Sequence, residues 1–296
     1  MLLRAYLFLT LTAMAWGGNA IAGKLAVGHI SPMLLTSLRW AMAFSILLAF
    51  TLPQVRRDRA IILRHLPLLF AYGALGFTGF NILLYSALNH TTAINVVIEQ
   101  AGIPLVIFLA NFLIFRIRPS VPQVLGFLLT LAAVIVVASG GSFQRLLALQ
   151  LNLGDALMLV AILLYGGYTV ALRYKPVLHW QSMITVLSGA ALVTSIPFSV
   201  WEIARGTVIW PDATGWSVAL FTAIFPSLIA QVLYIRGNEM IGSNRAGLFV
   251  NMVPIFGTLM SVLILREAMH PFQIVALVLA MGGIWLAERG RKNRAA

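Results

Sequence analysis

The chain consists of one apolar run after another, each long enough to cross a lipid bilayer. A helix that spans the hydrocarbon core needs about 20 consecutive, mostly apolar residues. Ten such runs are read in the 296 residues, over approximately 5–27, 32–52, 66–88, 91–115, 121–139, 153–174, 179–201, 216–235, 243–265 and 271–287. Lipid offers no hydrogen bonds, so each run must satisfy its own backbone groups and is therefore helical. A membrane β-barrel would show alternating segments of about ten residues, and no such pattern occurs. Only 9% of the residues are charged, against roughly a quarter in soluble domains. The expected fold class is an all-α polytopic membrane protein with ten transmembrane helices.

The positive charge points to topology, not to a nucleic-acid partner. The net charge is +12, but the basic residues sit between apolar runs and form no patch interleaved with exposed aromatics. With ten spans both termini share one side. That side receives Arg4, Arg56, Arg57, Arg59, Arg64, Arg116 and Arg118, and also Arg173, Lys175, Arg236, Arg245, Arg289, Arg291, Lys292 and Arg294. The other side receives only Lys24, Arg145, Arg205 and Arg266, while Arg39 lies inside a run. Cytoplasmic loops are enriched in Lys and Arg, so both termini are expected in the cytoplasm of an inner-membrane protein. The first fifteen residues resemble a signal peptide in charge and hydropathy. Because their pattern recurs along the chain, they are read as the first membrane helix.

The chain also repeats itself. A shift of 150 residues lays Pro104 on Pro254, Arg116 on Arg266, Gln123 on Gln273 and Gly140 on Gly290. A shift of 149 lays WGGNAIAGK, residues 16–24, on YGGYTVALR, residues 165–173. The reading is two five-helix repeats, 1–140 and 152–296, joined by a linker at 141–151. Five is odd, so the second repeat enters from the opposite side. Inverted repeats of this kind mark secondary transporters, whose substrate sites lie near the bilayer midplane.

WGGNAIAGK also approaches a phosphate-binding loop in its spacing of glycine and lysine. Such a loop needs Ser or Thr after the lysine and a strand before it. Here Leu25 follows the lysine, inside an apolar run. His-Glu-x-x-His and Gly-x-Ser-x-Gly do not occur, there is no cysteine, and the five histidines are scattered. No enzyme, metal or cofactor is expected. The expected partners are a small-molecule substrate and the lipid bilayer, with the oligomeric state open. An intramembrane enzyme or a channel remains as an alternative class.

Three stretches resemble the drug/metabolite transporter superfamily, EamA type. They are WGGNAIAGK, YSALNHTTAINVVIEQAGIPLVIFLANFLIFR at 85–116, and YIRGNEMIGSNRAGLFVNMVPIFGTLMSVLILREAMHPFQIVALVLAMGGIWLA at 234–287. Within that group the chain looks most like the YddG-type exporters of aromatic amino acids. The resemblance implies ten helices in two inverted repeats, a central cavity and export of small metabolites. One departure stands out: Arg266-Glu267 ends the ninth span, but the fourth ends Arg116-Ile117.

The candidate cavity residues follow from depth and helical face. Trp16 and Tyr165 fall near the centres of spans 1 and 6, each followed by two glycines. Asn95 and Glu99 share a face of span 4 at four-residue spacing, and an ionisable residue at that depth is costly and usually serves a cavity or a partner. Asn81 with Tyr85, and Gln231 with Tyr234, share faces in the same way; Asn19, Tyr168, Asn244 and Asn251 are further polar positions inside spans. Together they suggest a wet, aromatic-lined interior suited to a ring with a zwitterionic head, with other amphipathic metabolites or cationic drugs as the alternative cargo. Pro104 and Pro254 hold matching places and are expected hinges, since proline removes a helical hydrogen bond. Lys24 and Arg39, near the outer ends of spans 1 and 2, are read first as headgroup anchors, with attraction of a carboxylate as the alternative.

Overall fold

The computed structural model of the chain describes residues 2–116, 120–142, 144, 152–242, 246 and 249–292. Most of the 141–151 linker, Asn244, and four of the charges counted above (Arg118, Arg145, Arg245 and Arg294) lie outside these residues. No strand occurs among the described residues. Eight helices there are long and apolar enough to cross a membrane. They are α1 (Leu2–Leu25), α2 (Pro32–Arg57), α3 (Leu66–Ala87), α4 (Ala93–Phe115), α5 (Val121–Ala138), α6 (Leu153–Tyr174), α7 (Trp180–Ala204) and α8 (Ala213–Ile241). Two further helices are α9 (Val253–Ile264), which is shorter, and α10 (Pro271–Lys292), whose apolar part is Pro271–Ala287.

The boundaries depart from expectation where caps and prolines decide them. α2 continues through Pro53 to Arg57. α8 starts three residues before Trp216 because Asp212 caps it, accepting from Gly215 N at 2.8 Å. The expected start of the ninth span, Ser243, lies outside the described residues, and α9 begins only at Val253, after a turn at Asn251 and Met252.

In lipid the hydrophobic effect does not drive one helix against another, so close packing by small residues must hold the bundle together. A Cβ on Gly17 of α1 would stand 2.8 Å from Gly257 N of α9, so these backbones touch. A Cβ on Gly126 of α5 would stand 2.7 Å from Ala287 N of α10. Buried polar links add to this. Ser31 Oγ donates to Glu202 Oε2 at 2.6 Å, joining the start of α2 to the end of α7.

Side-chain contacts fix the helix directions. Gly23 of α1 abuts Tyr85 and Leu88, and Lys24 Nζ donates to Leu88 O at 2.8 Å, so α1 and α3 end at one level. α6 starts at that level, with Gly154 against Ala87 and Thr91, and finishes where Tyr72 near the start of α3 donates to Ala171 O. α1 and α6 therefore run in opposite directions. The start of α2 meets the end of α7, and Gly126 early in α5 meets Gly283 and Ala287 late in α10.

The helix pairing is unchanged when the two halves are exchanged. α1 packs on α8 and α9, as α6 packs on α3 and α4; α2 pairs with α7, and α5 with α10. Local irregularities repeat as well. α3 contains a π-helical segment at Gly73–Gly79, and α8 one at Phe225–Ile229. α4 tightens into a 3-10 turn at Gln100–Gly102 just ahead of Pro104, and α9 opens with Pro254 in the corresponding place. Arg116 and Arg266 both adopt left-handed backbone, with φ of 54° and 55°.

Candidate functional site

A cavity of about 590 Å³ occupies the middle of the bundle. Trp16 and Asn19 of α1, Arg39 and Trp40 of α2, and Phe77, Phe80 and Asn81 of α3 line it. So do Gln100 and Pro104 of α4, Tyr165 and Tyr168 of α6, Ser227, Gln231 and Tyr234 of α8, and then Asn251 and Pro254. The lining continues to Gln123 near the start of α5 and to Leu172 and Ala287 near the ends of α6 and α10. The cavity thus runs from mid-bundle toward the end where α5 begins and α10 finishes.

Aromatic rings form much of the wall. Trp16 lies 5.3 Å from Tyr234, Phe80 4.8 Å from Tyr165, and Tyr165 5.5 Å from Tyr168. Trp40 stacks on Phe77 at 4.8 Å. The helix irregularities serve this wall. Trp16 Nε1 donates to Pro226 O at 3.3 Å, within the π-helical segment of α8. Gly76, in the π-helical segment of α3, leaves room for the ring of Tyr168, which any Cβ there would strike.

Arg39 sits in this wall and not at the headgroups. It is 5% exposed, seven residues into α2 and so about 10 Å along it by helical rise. Its Nε donates to Ser227 Oγ at 2.8 Å. Its Nη1 donates to Asn19 Oδ1 at 2.9 Å, to Asn81 Oδ1 at 2.7 Å and to Tyr85 Oη. The Trp40 ring lies 5.0 Å from the guanidinium carbon. All four acceptors are neutral, and among the described lining residues there is no Asp, Glu or Lys.

Lys24, the other expected anchor, is also turned inward, with Nζ 2.8 Å from Leu88 O and 2.7 Å from Thr91 O. It lines a second, polar pocket of about 450 Å³, where α1 and α3 end and α4, α6 and α10 begin. Four side chains there form one chain of hydrogen bonds. Gln273 Nε2 donates to Asn95 Oδ1 at 2.7 Å, Asn95 Nδ2 to Thr91 Oγ1 at 3.1 Å, and Thr91 Oγ1 to Asp155 Oδ1 at 2.6 Å. The α9–α10 connection borders it through His270, and Glu267 of the same connection accepts from Ala93 N at 2.9 Å and Ile94 N at 3.0 Å. The lone Glu of the two matched span ends thus caps α4, whose first N–H groups have no partner within the helix.

Of the sequence-derived candidates, Trp16, Asn19, Asn81, Tyr165, Tyr168, Gln231, Tyr234 and Asn251 line the central cavity, as do Pro104 and Pro254. Three do not. Tyr85 is buried behind Arg39, donating to Asn19 Oδ1. Asn95 belongs to the polar pocket. Glu99, one turn deeper, is fully buried, and neither carboxyl oxygen has a hydrogen-bond partner. The face that carries Asn95 and Glu99 turns away from the cavity, while Gln100 on the next face reaches it. Arg39, Trp40, Phe77, Phe80 and Ser227 line the cavity without having been expected there. For Arg39 the signal was its depth, two helical turns from the nearer end of its run.

The comparisons agree with this architecture. The EamA-like transporter family model matches the chain twice, over residues 3–139 and 152–288. The chain belongs to the EamA-like transporter family. As a member it is a multi-pass membrane protein and a transporter. Its similar relatives include the uncharacterized transporters YetK and YyaM of Bacillus subtilis. YetK is 22% identical over 98% of this chain and 88% of its own; YyaM is 24% identical over 97% and 94%. An uncharacterized transporter of Archaeoglobus fulgidus is 25% identical over 98% of this chain and 100% of its own. A crystal structure of a protein, 22% identical, superposes over 99% of both chains with a TM-score of 0.68 and shares the fold.

Proposed function

We propose that this EamA-family protein is a secondary carrier that exports small metabolites by alternating access, amino acids with aromatic or apolar side chains foremost. The observation that carries this reading is the central cavity, ringed by aromatic and amide side chains drawn from both halves of the chain. Rings stack on the rings, and the amides meet a polar head. Aromatic amino acids are also what the YddG-type exporters, which the sequence resembles, carry.

The proposal includes ten spans in two inverted five-helix repeats, 1–140 and 152–296, with both termini cytoplasmic in the inner membrane. The opposed directions of α1 and α6, the exchangeable pairing and the matched irregularities support it, together with the distribution of Lys and Arg. In this arrangement the cavity extends toward the cytoplasm, and the polar pocket with Asn95 is the closed outer gate. Glu99 beneath that gate and the hinges at Pro104 and Pro254 take part in the change of access. Enzymatic activity is not part of the proposal, and no cofactor is invoked.

The test is counterflow in proteoliposomes with a panel of amino acids, organic acids and cationic drugs. Saturable, stereoselective exchange of an aromatic amino acid is expected. Flux that is neither saturable nor stereoselective would indicate a channel and overturn the carrier reading.

A further inference from the structure

Among the described residues the cavity lining holds one fixed charge, and it is positive. Arginine cannot be deprotonated in a protein, so Arg39 brings a permanent cation into a space walled mainly by apolar groups. A buried charge of this kind normally pairs with an acid, because an uncompensated one costs several kcal/mol or more. Here the salt bridges among the described residues are His29–Asp212 and Arg236–Glu239, and neither involves Arg39. Neutral oxygens hold it instead, and those oxygens are themselves tied down. Ser227 Oγ donates to Thr222 O, Asn81 Nδ2 to Phe77 O, and Tyr85 Oη to Asn19 Oδ1. With Trp40 beside it, the guanidinium is fixed in orientation but not neutralised.

The engaged nitrogens are Nε and Nη1. Nη2 has no protein acceptor among the described residues, and the residue lines the cavity. A prearranged, unneutralised cation with donors to spare recognises an anion, and a guanidinium matches a carboxylate best. No acid lines the described cavity to pair with an ammonium group, which leaves a cation only the ring faces. We infer that Arg39 binds the carboxylate of the substrate, so that the cavity selects aromatic and apolar carboxylates, amino acids among them, and disfavours cationic amphiphiles. The inference rests on the transporter reading of the same cavity and narrows its substrate class. The carboxylate docks at Arg39 and the ring lies along Phe80, Tyr165 and Tyr168.

The experiment is calorimetric binding of three near-isosteric probes to the purified full-length protein in lipid nanodiscs: 3-phenylpropanoate, 3-phenylpropanamide and 3-phenylpropylamine. The carboxylate is expected to bind at least about tenfold more tightly than the amide, and the amine more weakly still. Arg39→Gln should erase the carboxylate's advantage and leave the amide unchanged; Arg39→Lys should restore part of it, because lysine keeps the charge but not the planar fork. An amine that binds as well as the carboxylate overturns the inference. So does a preference that survives in Arg39→Gln, or the failure of all three probes to bind. If Arg39→Gln does not fold, the order of the three probes on the unaltered protein decides. Carboxylate binding without counterflow of any solute would count against the transporter reading and leave the carboxylate site standing. Counterflow without carboxylate preference would do the reverse.

Discussion

Asp212 shows how one exposed side chain sets an element. The Gly215 N–H, and after it the His29 ring, hold its carboxyl below the ordinary aspartate value of 3.8. A carboxylate so favoured stabilises the fold when ionised. Its contribution is therefore complete above the ordinary value and disappears as the pH falls through the lower, folded one. Asp212→Asn keeps an oxygen for the cap but removes the charge. The variant should unfold below the native temperature at neutral pH and converge with the native protein on acidification, as melting curves between pH 7 and pH 3 would reveal; curves that fall in parallel contradict the assignment. Glu99 is the opposite case, a fully buried carboxyl with no partner on either oxygen. Glu99→Gln removes no hydrogen bond, so its melting temperature should match that of the unaltered protein. Transport should nevertheless fall, and counterflow that persists at the native rate would remove Glu99 from the cycle. Sequence identified Glu99 as unusual because acids are rare in lipid, but helical spacing alone did not reveal that its face turns from the cavity. Arg39 was misread for a related reason: a long basic side chain near a run's end snorkels by default, and only its four neutral partners show that this one does not.

The helices themselves were legible, because about 20 apolar residues between charged turns leave lipid-spanning structure few alternatives. Their interruptions were legible only in part. Pro104 and Pro254 announced themselves, whereas the π-helical segment at Gly73–Gly79 has no proline, and the ring of Tyr168 packs against its Gly76. The two glycine pairs, Gly17-Gly18 and Gly166-Gly167, divide one residue at a time. Gly17 faces backbone: a Cβ would stand 2.8 Å from Gly257 N, while at Gly167 nothing lies within 4 Å. Backbone cannot yield as a flexible side chain can, so Gly17→Ala should force α1 and α9 apart at a cost of about 1–3 kcal/mol. Gly167→Ala meets no obstacle and should gain up to about 1 kcal/mol through helix propensity. Thermal melts of the two variants in one detergent would separate them; equal losses would mean that α1 and α9 are not held by this contact.

Across the whole molecule, the proposed inverted repeat makes one statement that a parallel duplication would not. In an inverted repeat, residues about 150 positions apart emerge on opposite sides of the membrane. Arg57 at the end of α2 and Thr207 just past the end of α7 are such a pair, and both are exposed. The link from Ser31, at the start of α2, to Glu202, near the end of α7, already sets these two helices in opposite directions within the bundle. The proposed orientation in the bilayer rests on charge, since it puts the dense cluster Arg56, Arg57, Arg59 and Arg64 on the cytoplasmic side. The chain has no cysteine, so single cysteines can be introduced without a background. In intact cells a membrane-impermeant maleimide should label Thr207→Cys and leave Arg57→Cys unlabelled until the membrane is opened. Labelling of both from outside, or of neither, would mean that the two halves enter the membrane in the same sense, and alternating access by exchange of inverted halves would fail with it.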